Sequence, residues 1–424
     1  MNKSSKEFKI QLPDCVIWNI FSKLGLKDLV KTSTLSKLWL HEWQFRKDLN
    51  FDLCNLFDYN KVQELPKNFP SEFATRLDQF MLHYQGDMID SIRVKCPLSY
   101  EHSDVIKRLI SKGIAKGAKR IELLLSYGNN DIRKEPCEFS FELLFGTDSL
   151  TYLHLQNFRL KTPMEFSGLK NLRTLVLQLV AVRQTWLEGL FSNCIHLVDF
   201  TIDECAFMSD LKIISSTLFR LNIVNCRVNV NRSNIDIIAS NLSSMEYSSN
   251  DDYSVHRMNI EAHMLSKFSY KGCKIYKPVG FSGLKNVTTI VLDGLRELQR
   301  TNIVHLLFSE CLQLEDVTFM NCNQIHDMNI VSSKLRHLKI IGSVYNQCID
   351  INTLNLASFE YSGKTMRNIS VTAPRLSRVF WNAAIRENIP HPFGPIITTL
   401  QHIENLAMII STSQVSHSKT MFAS

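Results

Sequence analysis

FSGLKNLRTLVL, from Phe166 to Leu177, returns 115 residues later as FSGLKNVTTIVL, from Phe281 to Leu292, with nine of twelve letters unchanged. The second half of each phrase, LRTLVL and VTTIVL, has apolar residues at its first, fourth and sixth positions. That template recurs as LTYLHL (Leu150), LVDFTI (Leu197), LFRLNI (Leu218), LSSMEY (Leu242) and LSKFSY (Leu265). It continues as LEDVTF (Leu314), LRHLKI (Leu335), LASFEY (Leu356) and LSRVFW (Leu376), at spacings of 20 to 27 residues. Fainter copies are AKRIEL at Ala118 and IENLAM at Ile403.

Alternation within each unit is that of a short strand with one face buried. Stretches between the strands, such as TNIVHLLFSECLQL, space their apolar residues as a helix does. A strand plus a helical return every 20–29 residues is the leucine-rich-repeat signature. The expected fold is therefore α/β: a solenoid with parallel strands on the concave side and helical or irregular returns on the convex side. A block of five repeats, 150–264, is written again at 265–375: LTYLHLQNFRLKTP aligns with LSKFSYKGCKIYKP, and NLSSMEY with NLASFEY. The whole array is expected over 118–411, followed by a polar tail, 412–424.

Three residues past the last apolar position of a strand, this class often carries Asn or Cys. Cys205, Cys226, Asn250, Cys273 and Cys322 occupy that position, where a buried side chain can bond the backbone of the neighbouring turn. Cys194 and Cys311, in FSNC and FSEC, read as core fillers of the helical return. The chain has 11 cysteines, an odd number, with no C-x-x-C pair, so they read as reduced thiols and not as metal ligands or disulfides.

Other classes of chemistry find little support. Net charge is +7 over 424 residues, without the basic run that tracks phosphates, so no nucleic acid is expected. No apolar run approaches the ~20 residues of a membrane span, and MNKSSKEFKIQLPD has no apolar secretory segment; the expected location is nucleus or cytoplasm. SGKT at Ser362–Thr365 has Ser358 where a phosphate loop needs Gly. His41-Glu42 lacks a second His four residues on. Neither catalysis nor a cofactor is expected.

The N-terminal segment has another rhythm. In LPDCVIWNIFSKLG, Val16, Ile17, Ile20, Phe21 and Leu24 form one helical face; Pro13 and Asp14 suit its start and Gly25 its end. A second short helix is expected to open near Asp28 and a third to run from Lys37 to Trp43. So small a unit buries little area alone.

LPDCVIWNIFSKLGLKDLVKTSTLSKLWLHEW, Leu12 to Trp43, resembles the F-box motif, in its Leu-Pro-Asp opening, Leu-Lys-Asp-Leu second helix and Ser-Lys-x-Trp third helix. It departs from the usual pattern at Leu38, where Arg is common, and at Gly25, where Pro is. Together with the repeats and the intervening segment, the chain resembles plant F-box/LRR-repeat proteins. That implies an F-box over 8–48, a linker or transition region capping the solenoid over 49–117, and then the repeats. It also implies a non-catalytic substrate-recognition subunit of an SCF-type ubiquitin ligase, joined through a Skp/ASK-type adaptor to a cullin and its RING subunit. Carried over by position, the adaptor surface is drawn from Leu12, Pro13, Asp14, Ile17, Ile20, Leu24, Leu26, Leu29, Leu35, Lys37 and Trp39. A hormone- or small-molecule-dependent receptor and a scaffold without ligase function are the alternatives. Relatives often carry a further C-terminal domain; none is expected after Ile410, as in a divergent or truncated copy.

A protein substrate would meet the alternate strand positions, which face the concave side. These include Tyr152, His154, Asp199, Asp203, Arg220, Glu246, Lys267, Lys271, Asp316, His337, Lys339, Glu360, Arg378, Phe380 and Asn382. The row mixes signs, which suits a polar protein surface better than a phosphate backbone.

Overall fold

The structure is a computed structural model. It describes residues 13–32, 34–35, 46–57, 68–126, 135–144, 147–161, 169–207, 210–228, 234–249, 257–272, 281–294, 303–322, 327–343, 348–363, 368–385 and 403–412. The chain divides into two compact units, Met1–Val180 and Ala181–Ser424.

The first unit opens with α1 (Asp14–Lys23) and α2 (Leu26–Thr32). Pro13 stands at the N-cap, where its missing N–H costs nothing, and Gly25 lies in the break between the helices. Phe21 and Leu29 are buried together with Leu24 packed beside them. The third helix expected at Lys37–Trp43 lies outside the described residues.

Next come β1 (Asp48–Phe51), α3 (Leu53–Leu56), α4 (Phe69–His83), β2 (Ser91–Lys95) and α5 (Ser103–Ala115). Then follow β3 (Arg120–Leu124), β4 (Cys137–Ser140), β5 (Tyr152–Gln156), β6 (Phe158–Lys161) and β7 (Thr174–Gln178). Strands β1-β2-β3-β5-β7 form a parallel sheet in that order, and β4 pairs with β6. The long helices are returns of this sheet. Phe69, Phe73, Leu77 and Met81 of α4, and Ile106, Leu109 and Ile110 of α5, are buried. Strand and helix thus already alternate inside 49–117, the segment expected to be a transition region. DLNF and SIRVK alternate as strands do, although neither carries the leucine template.

The second unit begins with β8 (Ala181–Val182), α6 (Gln184–Asn193), β9 (Asp199–Asp203), β10 (Ala206–Phe207), β11 (Leu211–Ser215) and β12 (Arg220–Val224). It continues with β13 (Arg227–Val228), β14 (Asn234–Ala239), β15 (Ser244–Ser249), β16 (Arg257–Glu261), β17 (Lys267–Gly272) and β18 (Thr289–Asp293). After α7 (Ile303–Glu310) come β19 (Asp316–Met320), β20 (Asp327–Ser332), β21 (His337–Ser343) and β22 (Cys348–Thr353). The last strands are β23 (Ser358–Gly363), β24 (Asn368–Thr372), β25 (Arg378–Ile385) and β26 (Asn405–Thr412). Strands β9-β12-β15-β17-β18-β19-β21-β23-β25-β26 are neighbours in a parallel sheet, each repeat supplying one strand. Their inward positions form the core: Phe200, Leu221, Phe268, Phe319, Phe359 and Trp381 are each at most 2% exposed. Tyr361 and Trp381 pack with ring centroids 4.7 Å apart.

The returns refine the expectation. Helices form at QTWLEGLFSN and IVHLLFSE, where apolar residues fall at helical spacing. Among the described residues of this unit the other returns are the 3-10 turn Phe281–Leu284 and the strands β11-β14-β16 and β20-β22-β24, each group a parallel three-stranded sheet. LKIIS, NIDIIA and CIDINT alternate buried and exposed residues and are rich in β-branched side chains, which favour a half-buried pleated surface.

Six strands turn toward their returns through a left-handed residue. Asn157, Leu179, Glu204, Asn225 and Asn321 follow β5, β7, β9, β12 and β19 directly, with φ of 61°, 54°, 50°, 49° and 52°. Gly294 after β18 holds φ of 75°. At Asn157, Glu204, Asn225, Gly294 and Asn321 the conformation aims the N–H at the next strand's carbonyl: Asn225 N donates to Ser248 O at 2.7 Å and Gly294 N to Met320 O at 2.8 Å.

The cysteines occupy the places expected of them. Cys205, Cys226 and Cys322 are buried, and Cys226 Sγ donates to Ile202 O of the preceding turn at 3.5 Å, as Cys322 Sγ does to Leu292 O at 3.5 Å. Cys194 and Cys311 are each 1% exposed, at the ends of α6 and α7. Asn250 and Cys273 lie outside the described residues.

Candidate functional site

Parity fixes which side chains leave the core. In Tyr152–Gln156 the buried residues are Leu153 and Leu155, so Tyr152, His154 and Gln156 share the open face. The same alternation puts Asp199, Arg220, Glu246, Lys267, Lys271, Asp316, His337, Lys339, Glu360, Arg378 and Phe380 on the open face of the second unit's sheet.

Register then decides which of them meet. On the second unit's face, opposite charges stand on neighbouring strands. Arg220 Nη1 lies 3.5 Å from Asp199 Oδ1, Lys271 Nζ 4.0 Å from Asp293 Oδ2, and Lys339 Nζ 2.8 Å from Glu360 Oε2. His337 Nε2 is 3.8 Å from Asp316 Oδ1. Half-exposed pairs of this kind contribute little stability each, but they set the charge pattern a partner would meet. Asp203, at the end of β9, has its carboxyl pushed up by burial and by the neighbouring Glu204. An open cavity of about 550 Å³ lies at the strand starts, lined by Asp199, Phe219, Arg220, Asn241, Ser243 and Met264.

The first unit's face is organised around Glu122 on β3. Its Oε1 accepts from Arg120 Nε at 2.6 Å, and its Oε2 lies 3.4 Å from Arg93 Nε on β2. The Arg120 guanidinium stacks 3.6 Å above the Tyr152 ring. His154 sits in register with Glu122. Burial lowers its pKa, and Arg120 and Arg93 act the same way against Glu122; its Nε2 is buried without a hydrogen-bond partner. Gln156 Nε2 donates to Gln178 Oε1 at 3.0 Å, completing a polar floor. Arg93, Arg120 and Glu122 were not among the sequence candidates. The signal was present, since SIRVK and RIELL place them at alternate positions between buried residues.

The expected adaptor residues divide between exposed and buried positions. Ile20 and Leu35 are exposed apolar residues, joined by Val16 and Val30, which were not candidates for docking. Pro13 is exposed. Leu24 packs inward, and Leu26 and Leu29 are buried, so these three are internal supports of the helix pair. Asp14 and Ile17 lie on α1. Leu12, Lys37 and Trp39 lie outside the described residues.

Among the described residues, no group of three or more His, Cys, Asp or Glu is arranged to hold a metal ion. Among them, too, no helix is long and apolar enough to cross a membrane. Ser362 and Gly363 of the SGKT stretch close strand β23, and Lys364 and Thr365 lie outside the described residues.

Comparison with known proteins agrees with this architecture. The profile of the family described as "At1g61320/AtMIF1, LRR domain" matches residues 86–270 and 258–422, and that of the F-box domain matches residues 10–44. The chain is 29% identical over 194 residues to the F-box/FBD/LRR-repeat protein At1g13570 of Arabidopsis thaliana, covering 45% of this chain and 42% of that one. It is 25% identical over 327 residues to the putative FBD-associated F-box protein At1g61330 of the same plant, covering 74% and 65%. Arabidopsis F-box/LRR-repeat protein 13 is 27% identical over 221 residues, covering 50% and 45%. These matches therefore span between 42% and 65% of the relatives' own length.

Proposed function

Because this chain belongs to the family defined by the At1g61320/AtMIF1 LRR domain and carries an F-box domain, we propose that it is the substrate-recognition subunit of an SCF-type ubiquitin ligase. Its F-box would dock on a Skp/ASK-type adaptor, and the strand faces would hold a protein substrate. Ubiquitin transfer would fall to other subunits; this chain would raise the local concentration of substrate beside them. One observation carries the reading: a single chain joins an F-box helix pair with exposed Val16, Ile20, Val30 and Leu35 to a ladder of strands with an open polar face. Exposed apolar residues on so small a helical unit ask for a partner.

The test is co-purification of the full chain with a Skp-type adaptor. Wild type should retain the adaptor, and the double variant Leu12→Ala/Pro13→Ala should lose it. If wild type retains none, the ligase reading fails; if both forms retain it equally, the docking surface is wrong.

A further inference from the structure

We propose that the open strand face of the first unit is a docking site for an acidic segment of the substrate, with a carboxylate seated between Arg93 and Arg120. This deepens the substrate-receptor reading and rests on it. Two guanidinium groups share a single carboxylate, that of Glu122, through one Nε each. Both arginine side chains remain 47% exposed, whereas Glu122 is 13% exposed. A guanidinium carries five N–H donors in a planar fork matched to carboxylate geometry. The pair therefore offers donors and a local surplus of positive charge to the solvent side, with Lys95 at the next outward position of β2.

The contrast with the second unit sharpens the choice of partner. There Arg220, Lys271 and Lys339 each stand beside an acidic residue of a neighbouring strand, one cation to one anion. At Glu122 the ratio is two to one. An independent observation points to the same place: His154 Nε2, in the row of Glu122, is buried with no hydrogen-bond partner. A buried polar atom without a partner is unfavourable. A carboxylate that draws the arginine side chains toward itself opens the ring to an acceptor and relieves that penalty.

Fluorescence anisotropy of the full chain tests this with a labelled glutamate-rich peptide, its glutamine counterpart and its phosphoserine counterpart. The glutamate peptide should bind at low salt and weaken as salt rises. Arg93→Gln/Arg120→Gln should weaken it about tenfold or more, while Asp78→Asn/Arg108→Gln, an exposed ion pair between the return helices α4 and α5, leaves it unchanged. Glu122→Gln, which releases both arginines, should tighten it severalfold, and this second variant holds if the double one fails to fold. Equal binding of glutamate and glutamine peptides overturns the proposal. So does indifference to both arginine-site variants. Phosphoserine binding at least about tenfold tighter through the same arginines replaces a carboxylate ligand with a phosphorylated one and also overturns it. Adaptor retention, measured on the same preparations, reports separately. Retained adaptor without peptide binding removes this inference alone, and peptide binding without adaptor removes the ligase reading alone.

Discussion

The side-chain amide of Asn286 donates to the carbonyl oxygen of His263 at 2.8 Å, tying the turn before β18 to the turn before β17. Asn171, the same letter of the duplicated phrase, makes the same 2.8 Å bond to Asp148 O in the first unit. Asn241 to Ser216 O and Asn355 to Ser333 O repeat it at 2.6 Å. The final letter of FSGLKN is thus a stitch between successive turns. Asn286→Ala should destabilise the second unit by about 0.5–1.5 kcal/mol, the usual net worth of such a bond, and denaturant unfolding would measure it. An unchanged midpoint would make the bond incidental.

The glycine of the same phrase has a different duty. A Cβ on Gly283 would fall within the van der Waals envelope of the Ile260 carbonyl oxygen, which is backbone and cannot turn aside as a side chain could. Gly283→Ala should therefore cost about 1–3 kcal/mol through overpacking. The check is a larger fall in melting temperature than Asn286→Ala produces. A neutral outcome would mean that β16 shifts freely.

These two residues also mark what the sequence made legible. Parity along L-x-x-L-x-L assigns side chains to the core or the open face, because a strand alternates strictly; hence Tyr152 and Glu360 stand where expected. Which open-face residues meet depends on register between strands more than 20 residues apart, and that is set by turn geometry. Lys339 pairs with Glu360 because strands β21 and β23 align them, which no local pattern announces. Arg93 and Arg120 are harder to read from sequence because SIRVK lacks the leucine template and AKRIEL is only a faint copy of it, although Ile92, Val94, Ile121 and Leu123 fill the same inward places. In the returns, IDIIA and CIDINT carry a period of two, and their β-branched residues favour sheet over the helix that neighbouring returns form.

Glu204 is held at φ of 50° after β9, a position filled by Asn after β5, β12 and β19. Left-handed backbone costs an ordinary L-residue about 1–2 kcal/mol, and Asn tolerates it better through its short polar side chain. Glu204 also adds to the charge that raises the Asp203 pKa. Glu204→Asn should relieve both effects and stabilise the second unit by a few tenths to about 1 kcal/mol. A lower melting temperature at neutral pH would contradict this account.

The thiols separate sharply by environment. Burial pushes Cys137, Cys194 and Cys311 each up to about 12, so at neutral pH almost none exists as the reactive thiolate. Cys15, Cys54 and Cys348 are exposed. Brief alkylation of the native chain, mapped by peptide mass, should modify those three among the described cysteines and spare Cys194 and Cys311 until denaturant is added. Rapid native labelling of Cys194 would show that the end of α6 opens readily.

His154 links the first unit's face to pH. Burial lowers its pKa, with Arg120 and Arg93 acting in the same direction and Glu122 and the Gln178 side chain opposing them. The unfolded chain therefore takes up this proton near the ordinary value of about 6.5, while the folded chain takes it up only at lower pH. Where the unfolded state holds more protons, stability rises with pH. This contribution is thus fully present above about pH 6.5 and is lost as pH falls from there toward the folded value. His154→Gln, which cannot be protonated there, should lose less melting temperature than wild type between about pH 7.5 and about pH 5.5. Parallel curves for the two proteins would show that the ring titrates as freely in the folded chain as in the unfolded one, and that its burial against Glu122 and the two arginines carries no pH signal.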